Sequence, residues 1–390
     1  MKGESVSIRR SVGEHLRRVR ETLGWTLREV VKRTEVQGTQ ISESTLSRLE
    51  RGDTSVPFEE LIAICRVLGT PLALIEEVIR SAQSRTDIDL TGRTFENLLA
   101  EGMGFAQKGA IQRALACFEA AHDLLLLEGA AERRADRLAE VLIHRAEAHR
   151  RLRQFNLSLD LAGRVLNLSG CSEDQKVRAM VLHVTIHAAR RDFFQARLFA
   201  ERLLPLRGAL RDEVRAYALE ALGALEYLEG RYSQAIPLLE ESCALLKRLD
   251  RPFQLTKTMI VLGACIGVSG SARRGEAMIL EAIDSAGRRH FPEIVAYGRR
   301  LLAWVSSELG RYDDARGQLE KALDAARPVR RANEMFRIWY ELWRLEEAAQ
   351  NPDGQARAER VLQRLVHRAD PDLPAARKYL AAKNGRLRQP

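Results

Sequence analysis

A chain of 390 residues has room for two or three ordinary domains, or for one small domain followed by a solenoid. Apolar residues make up 45% but aromatics only 6%, and the abundance of Ala, Leu, Arg and Glu favours helix over sheet. The net charge of +9 suits a polyanionic partner, although a high arginine content alone produces such a balance. The five cysteines, odd in number, widely spaced and without a C-x-x-C, argue against a disulfide framework and read as reduced packing residues of a cytoplasmic protein. The opening MKGESVSIRR is too polar for a secretory leader, and the most apolar run, Met259–Val268, is far too short for a bilayer span.

Residues 8–80 read as five short helices. Val12, Leu16, Val19 and Leu23 recur at helical spacing, and Gly24 stops that helix. Thr26 is placed to cap a second helix with Leu27, Val30 and Val31 on its apolar face. Ser42 caps a third, whose inward residues are Leu46 and Leu49 and which Gly52 ends. Pro57 opens a fourth carrying Leu61, Ile62, Ile64 and Leu68. Gly69 ends it and Pro71 opens a fifth.

This pattern resembles the Cro/C1-type helix-turn-helix family, the phage-repressor fold. The resemblance rests on V-x-x-x-L-x-x-V-R at 12–20, L-G-W-T at 23–26, S-T-L-S-R-L-E-R-G at 44–52 and L-I-A-I-C-R-V-L-G-T-P-L at 61–72. Two departures stand out. Glu35–Gln40 lengthens the turn between the second and third helices, and Val31 replaces the small residue the family prefers there.

The resemblance implies a third helix lying in the major groove of DNA. Ser42, Glu43, Ser44 and Thr45 would then face base edges, with Arg48 one turn on as a guanine reader and Glu43 able to accept from cytosine. Ser42, Thr54, Ser55 and Arg17 would reach phosphates. Arg20 and Glu50 match a family pair that ties the first helix to the end of the third. Residues 1–34 hold nine Lys/Arg against four Glu, an excess of five that favours a phosphate backbone.

Residues 81–93 read as a polar linker, after which the texture changes. Gly230-Arg231-Tyr232-Ser233-Gln234-Ala235 recurs as Gly310-Arg311-Tyr312-Asp313-Asp314-Ala315, eighty residues on, each copy followed by an apolar helix. The same frame fits small anchors at 114, 158, 196, 235, 275, 315 and 356, about forty apart, giving about seven helix pairs over 94–380 before a basic tail at 381–390. The frame resembles tetratricopeptide repeats of long period. The expected fold is therefore all-α: a five-helix head followed by a right-handed α-solenoid. The domain order resembles that of the Gram-positive peptide-pheromone receptors of the RRNPP group. Those receptors use groove asparagines, which are scarce here.

In such stacks the first helix of each pair lines the concave face, which would carry Arg150, Arg178, Tyr217, Glu220, Tyr227, Lys257, Tyr297, Arg300 and Trp304. Aromatics with charges of both signs suit an extended peptide or a partner segment. Solvated packing of the same residues is the bland alternative. His183 and His187 are four apart, but no H-E-x-x-H is present and both fall on packing positions. No phosphate loop or nucleophile elbow occurs, and Gly102-Met103-Gly104 is a helix-interior pair. No cofactor or metal is expected, and nothing argues for an enzyme.

The expectation is a cytoplasmic regulator that binds double-stranded DNA as a homodimer and senses a peptide or protein ligand through its repeats. Two other readings remain open. One is an adaptor whose helix-turn-helix makes protein contacts; the other is a regulator controlled by a neighbouring toxin or enzyme.

Overall fold

The computed structural model describes residues 2–83, 88, 90–127, 134–206, 210–327, 332–369 and 373–386. Parts of the expected linker (84–87 and 89) and of the expected tail (387–390) lie outside the described residues. The described chain is all-α, as expected, and divides into two compact units, 1–182 and 183–390.

The first unit opens with α1 (Lys2–Thr22), α2 (Leu27–Val36), α3 (Glu43–Glu50), α4 (Phe58–Val67) and α5 (Leu72–Gln83). Local chemistry sets these bounds. Thr26 Oγ1 accepts from the Glu29 amide while the Glu29 carboxylate accepts from the Thr26 amide at 2.7 Å, a complete capping box. Ser42 Oγ accepts from the Thr45 amide at 3.0 Å. Gly24 and Gly52 adopt left-handed backbone after α1 and α3. Val12, Leu16, Val30, Leu46, Leu49, Ile64, Leu68 and Ile75 form the core of this head. Leu23, expected on the core face, is exposed because α1 ends at Thr22 and Leu23 falls in the turn.

The head's core is completed from outside its own helices. The unit continues with α6 (Phe95–Gln107), α7 (Ile111–Leu127), α8 (Arg134–Arg151), α9 (Phe155–Leu166) and the start of α10 (Glu173–Ala189). Leu157 of α9 joins the head's apolar cluster. Beside it the buried carboxylate of Glu77, on α5, accepts from the Leu157 amide at 2.8 Å and from Asn156 Nδ2 at 2.9 Å. A carboxylate at a helix N-terminus satisfies amides that lack a partner within the helix.

The second unit holds the rest of α10, then α11 (Phe193–Leu203), α12 (Asp212–Leu228), α13 (Tyr232–Arg248), α14 (Pro252–Val268) and α15 (Ala272–Arg288). It ends with α16 (Pro292–Glu308), α17 (Tyr312–Ala326), α18 (Ala332–Ala348), α19 (Pro352–Leu365) and α20 (Pro374–Arg386). From α6 to α19 the helices alternate in pairs. Each first helix ends at a residue of positive φ: Gly109, Arg153, Arg191, Gly230, Gly270, Gly310 or Gln350. Five residues later, in the first six pairs, comes a buried small side chain or none: Ala114, Ser158, Ala196, Ala235, Gly275 and Ala315. Gly275 shows why. A Cβ there would lie 2.3 Å from the Gly263 carbonyl oxygen and 2.5 Å from the Gly267 nitrogen, so α14 and α15 touch backbone to backbone. In the seventh pair the frame falls on Gln355, and Ala356 is exposed rather than an anchor.

Candidate nucleic-acid interface and ligand surface

The third helix of the head is held from behind and left open in front. Arg20 of α1 pairs with Glu50 at the end of α3 through two bonds of 2.7 and 2.9 Å, and its third donor reaches the Trp25 carbonyl at 2.8 Å. Glu50 is buried, and its hydrogen bonds raise the Arg20 pKa further above an already high value. Glycine lets the two helices meet: a Cβ on Gly13 would lie 2.2 Å from the Leu49 carbonyl oxygen.

On the opposite side Ser42, Glu43, Ser44 and Arg48 are exposed and Thr45 is half-buried. Ser42 and Thr45 share a hydroxyl hydrogen bond of 2.8 Å on top of the cap. Glu43, Ser44 and Arg48 side chains have no hydrogen-bond or ion-pair partner among the described residues. Arg17 pairs with Glu21 at 2.8 Å in the open, an exposed pair that costs little to exchange. Thr54 Oγ1 donates to the Ser55 carbonyl, leaving Ser55 exposed. The turn between α2 and α3 spans 37–42, with Gly38 in left-handed backbone. Sequence reasoning passed over Arg28, exposed and unpaired among the described residues in the first turn of α2. The Thr26–Glu29 capping motif was its signal, because a capped N-terminus aims amides and dipole at an anion.

The nine side chains expected on the ligand face all lie on first helices of pairs: Arg150 on α8, Arg178 on α10, Tyr217, Glu220 and Tyr227 on α12, Lys257 on α14, and Tyr297, Arg300 and Trp304 on α16. Several are engaged with each other or with neighbouring helices. In the first unit Arg150 pairs with Glu147, and Arg178 pairs with Glu140 at 2.8 Å. Burial acts to raise the Glu140 carboxyl, but His144 and Arg178 outweigh it and hold it well below the usual carboxylate range.

In the second unit Lys257 pairs with Glu220 at 2.7 Å. Arg300, only 12% exposed, binds Glu334 at 2.9 Å and grips both oxygens of Glu341. Burial would lower Arg300, yet the two carboxylates raise it well above its ordinary value. Trp304 donates to Glu308 at 3.0 Å and packs edge-on against Tyr227, with ring centres 5.7 Å apart. Burial pushes the Tyr217 and Tyr297 phenols up to about 12.

The partners Glu334, Glu341 and Tyr232, whose ring centre lies 5.8 Å from that of Trp304, were not foreseen. A signal exists in hindsight: Glu220 and Lys257 are 37 residues apart, Arg300 and Glu341 are 41, and Glu140 and Arg178 are 38, all close to one repeat. His183 and His187 stack, and Phe199 lies 4.1 Å from the His183 ring centre; among the described residues no group of three metal-binding side chains occurs.

Residues 11–78 match the family model described as a helix-turn-helix domain. The head is a helix-turn-helix domain. No curated protein matches the sequence. Among solved structures, a Rap protein complexed with competence and sporulation factor is 12% identical, with a TM-score of 0.54, over 91% of this chain and 98% of that one. The Rap conjugation gene regulator of the plasmid pLS20, in complex with a peptide, is 13% identical over 93% and 96%, with a TM-score of 0.53. Aspartyl phosphate phosphatase F from Bacillus subtilis is 11% identical over 92% and 94%, with a TM-score of 0.52. At such identities the likeness is one of fold: a helix-turn-helix head leads into TPR-like helix pairs, the expected architecture. No described helix is long and apolar enough to cross a membrane.

Proposed function

We propose that this chain is a sequence-specific DNA-binding transcriptional regulator of the cytoplasm, whose repeats form a homodimer and sense a peptide or protein ligand. The observation that carries the reading is the state of α3. Its far end is locked by Arg20 and Glu50, while Glu43, Ser44 and Arg48 stand exposed and unengaged among the described residues. Side chains kept free on a rigidly held helix are what base readout needs. Arg48 offers two donors to guanine O6 and N7, and Glu43 accepts from cytosine. Ser42, Thr54, Ser55, Arg17 and Arg28 hold the backbone. One head makes few contacts, so two heads on half-sites about 34 Å apart give useful affinity.

The fold neighbours bound to a factor or peptide support a peptide ligand for the repeats. Tyr217, Tyr227, Tyr297 and Trp304 supply area at low entropic cost. A ligand carboxylate reaches Arg300 only by displacing a carboxylate already bound there. Glu334, which Arg300 holds through one bond, yields more readily than Glu341, which it grips through both oxygens. Such an exchange would be a discrete change of contact between α16 and α18.

A second reading, an adaptor whose head contacts protein, is favoured by Val36, 84% exposed beside the lengthened turn. A protein partner, including a neighbouring toxin or enzyme, would cover it.

Selection of binding sites from random duplex DNA separates these readings. A regulator enriches a two-fold site, and Arg48→Ala weakens binding to it by about 1–3 kcal/mol while random DNA is bound as before. Failure to enrich any sequence, or equal loss on both DNAs, refutes the readout.

A further inference from the structure

One polar cluster is used neither by the DNA face nor by the ligand surface. It lies where α1 meets the repeats of the same unit. Arg18 of α1 pairs with Asp160 of α9 at 3.3 Å and donates to His15 Nδ1 at 2.7 Å. Arg164, one turn beyond Asp160 on α9, adds its charge to that of Arg18 and Arg145. His122 of α7 faces Arg145 and Arg164, with Asp123 at 3.7 Å. The guanidinium groups of Arg18, Arg145 and Arg164 thus act on one another and on the two histidines.

The cluster is short of an acceptor. Arg164 makes no ion pair or hydrogen bond among the described residues, and its Nη1 is sealed from solvent. His15 is 2% exposed. Arginine can only donate, so His15 Nδ1 is the acceptor in its bond to Arg18, and the ring proton sits on Nε2. That Nε2 is also sealed and unpartnered. Two buried donors, one of them on a cation, therefore lack an acceptor, a costly arrangement unless an anion completes it.

Electrostatics agree. Burial, then Arg18 and Arg145, bring Arg164 down to about 9. Burial, then Arg18 and Arg164, against Asp160, bring His15 down to about 4. Burial also brings His122 down to about 4, with Arg145 and Arg164 acting the same way against Asp123. A single water could accept from a donor but would leave the charge of Arg164 uncompensated.

We propose that the side chains of His15, Arg18, Arg145 and Arg164 form a binding site for a small tetrahedral oxyanion, the phosphate of a phosphorylated metabolite. Arginine forks match phosphate oxygens in geometry and charge. The site takes His15 and Arg18 from the DNA-binding head and Arg145 and Arg164 from the repeats. An anion bound there ties α1 to α8 and α9, and makes the seating of the head on these helices depend on a metabolite.

The test titrates the full chain, in Tris chloride at constant ionic strength, with inorganic phosphate, sulfate and acetate. Calorimetry should show saturable one-to-one binding of phosphate and sulfate but not acetate, and saturating phosphate should raise Tm by at least about 2 °C. Arg164→Gln should weaken phosphate binding tenfold or more without lowering the unliganded Tm, because it removes a buried uncompensated charge. His15→Asn, which removes the Nε2 donor and spares Arg164, should weaken it several-fold and serves as the test if Arg164→Gln does not fold. Arg66→Gln, on the exposed face of α4, should leave it unchanged. Absence of saturable phosphate binding, equal response to acetate, or phosphate binding indifferent to both cluster variants overturns the proposal.

Discussion

Replacing Gly13 by alanine places a methyl group where α1 and α3 touch. In an open helix this change stabilises by up to about 1 kcal/mol, because glycine has the greater unfolded freedom. Here the new Cβ would sit 2.2 Å from the Leu49 carbonyl oxygen and 2.8 Å from that of Glu50, so the helices must part by roughly 1 Å to restore van der Waals contact. Overpacking of this kind costs about 1–3 kcal/mol. The same displacement acts on the Arg20–Glu50 bonds of 2.7 and 2.9 Å, two turns along α1, which tolerate little lengthening. We expect a net loss of about 1–2 kcal/mol from the head. Gly104→Ala is the control: its Cβ meets nothing within 4 Å, so it should stabilise. Native-state hydrogen exchange of α1 and α3 amides reads the first directly, and that of α6 amides reads the control. A Gly13→Ala protein as well protected as its parent would show that the two backbones do not meet as described.

Three further outcomes follow from particular contacts. Residues 1–85 expressed alone lose Leu157, which is 8% exposed and seated in the head's core, so the isolated head should be less stable than in the full chain by about 2–4 kcal/mol; equal amide protection of α3 in both would contradict this. Arg300→Met strands Glu334 and Glu341 and should cost about 2–3 kcal/mol, a buried-pair loss discounted because Glu341 is a third exposed; an unchanged melting profile would show that the contact is adjustable surface.

His15, His122, His149 and His183 are held neutral by burial, each brought down to about 4. Between pH 6.5 and about 4 the unfolded chain therefore takes up protons that the folded chain does not. Stability should fall with falling pH, by up to about 1.4 kcal/mol per unit for each histidine. Urea unfolding at pH 7.5 and 5.5 in chloride buffers measures it, and a flat or opposite trend would place these rings in solvent.

Short-range signals carried most of the fold. Thr26 and Ser42 cap the helices they precede, Gly24 and Gly52 end the helices before them, and the paired G-R-Y motifs eighty residues apart mark the repeat, because each acts within a turn or two of chain. The exposed face of α3 was legible for the same reason: helical spacing alone separates Arg48 from Leu46 and Leu49. Tertiary structure decided what depends on chain far away. Leu157 in the head's core, Glu77 on the α9 amide and the orphan donors of His15 and Arg164 join elements 80 or more residues apart, beyond the reach of any local period. It likewise gave Arg300 its two carboxylates. A repeat frame says which face a side chain occupies, but its partner is chosen by how the next pair packs, and that depends on contacts such as Gly275 on Gly263 that only the assembled backbone reveals.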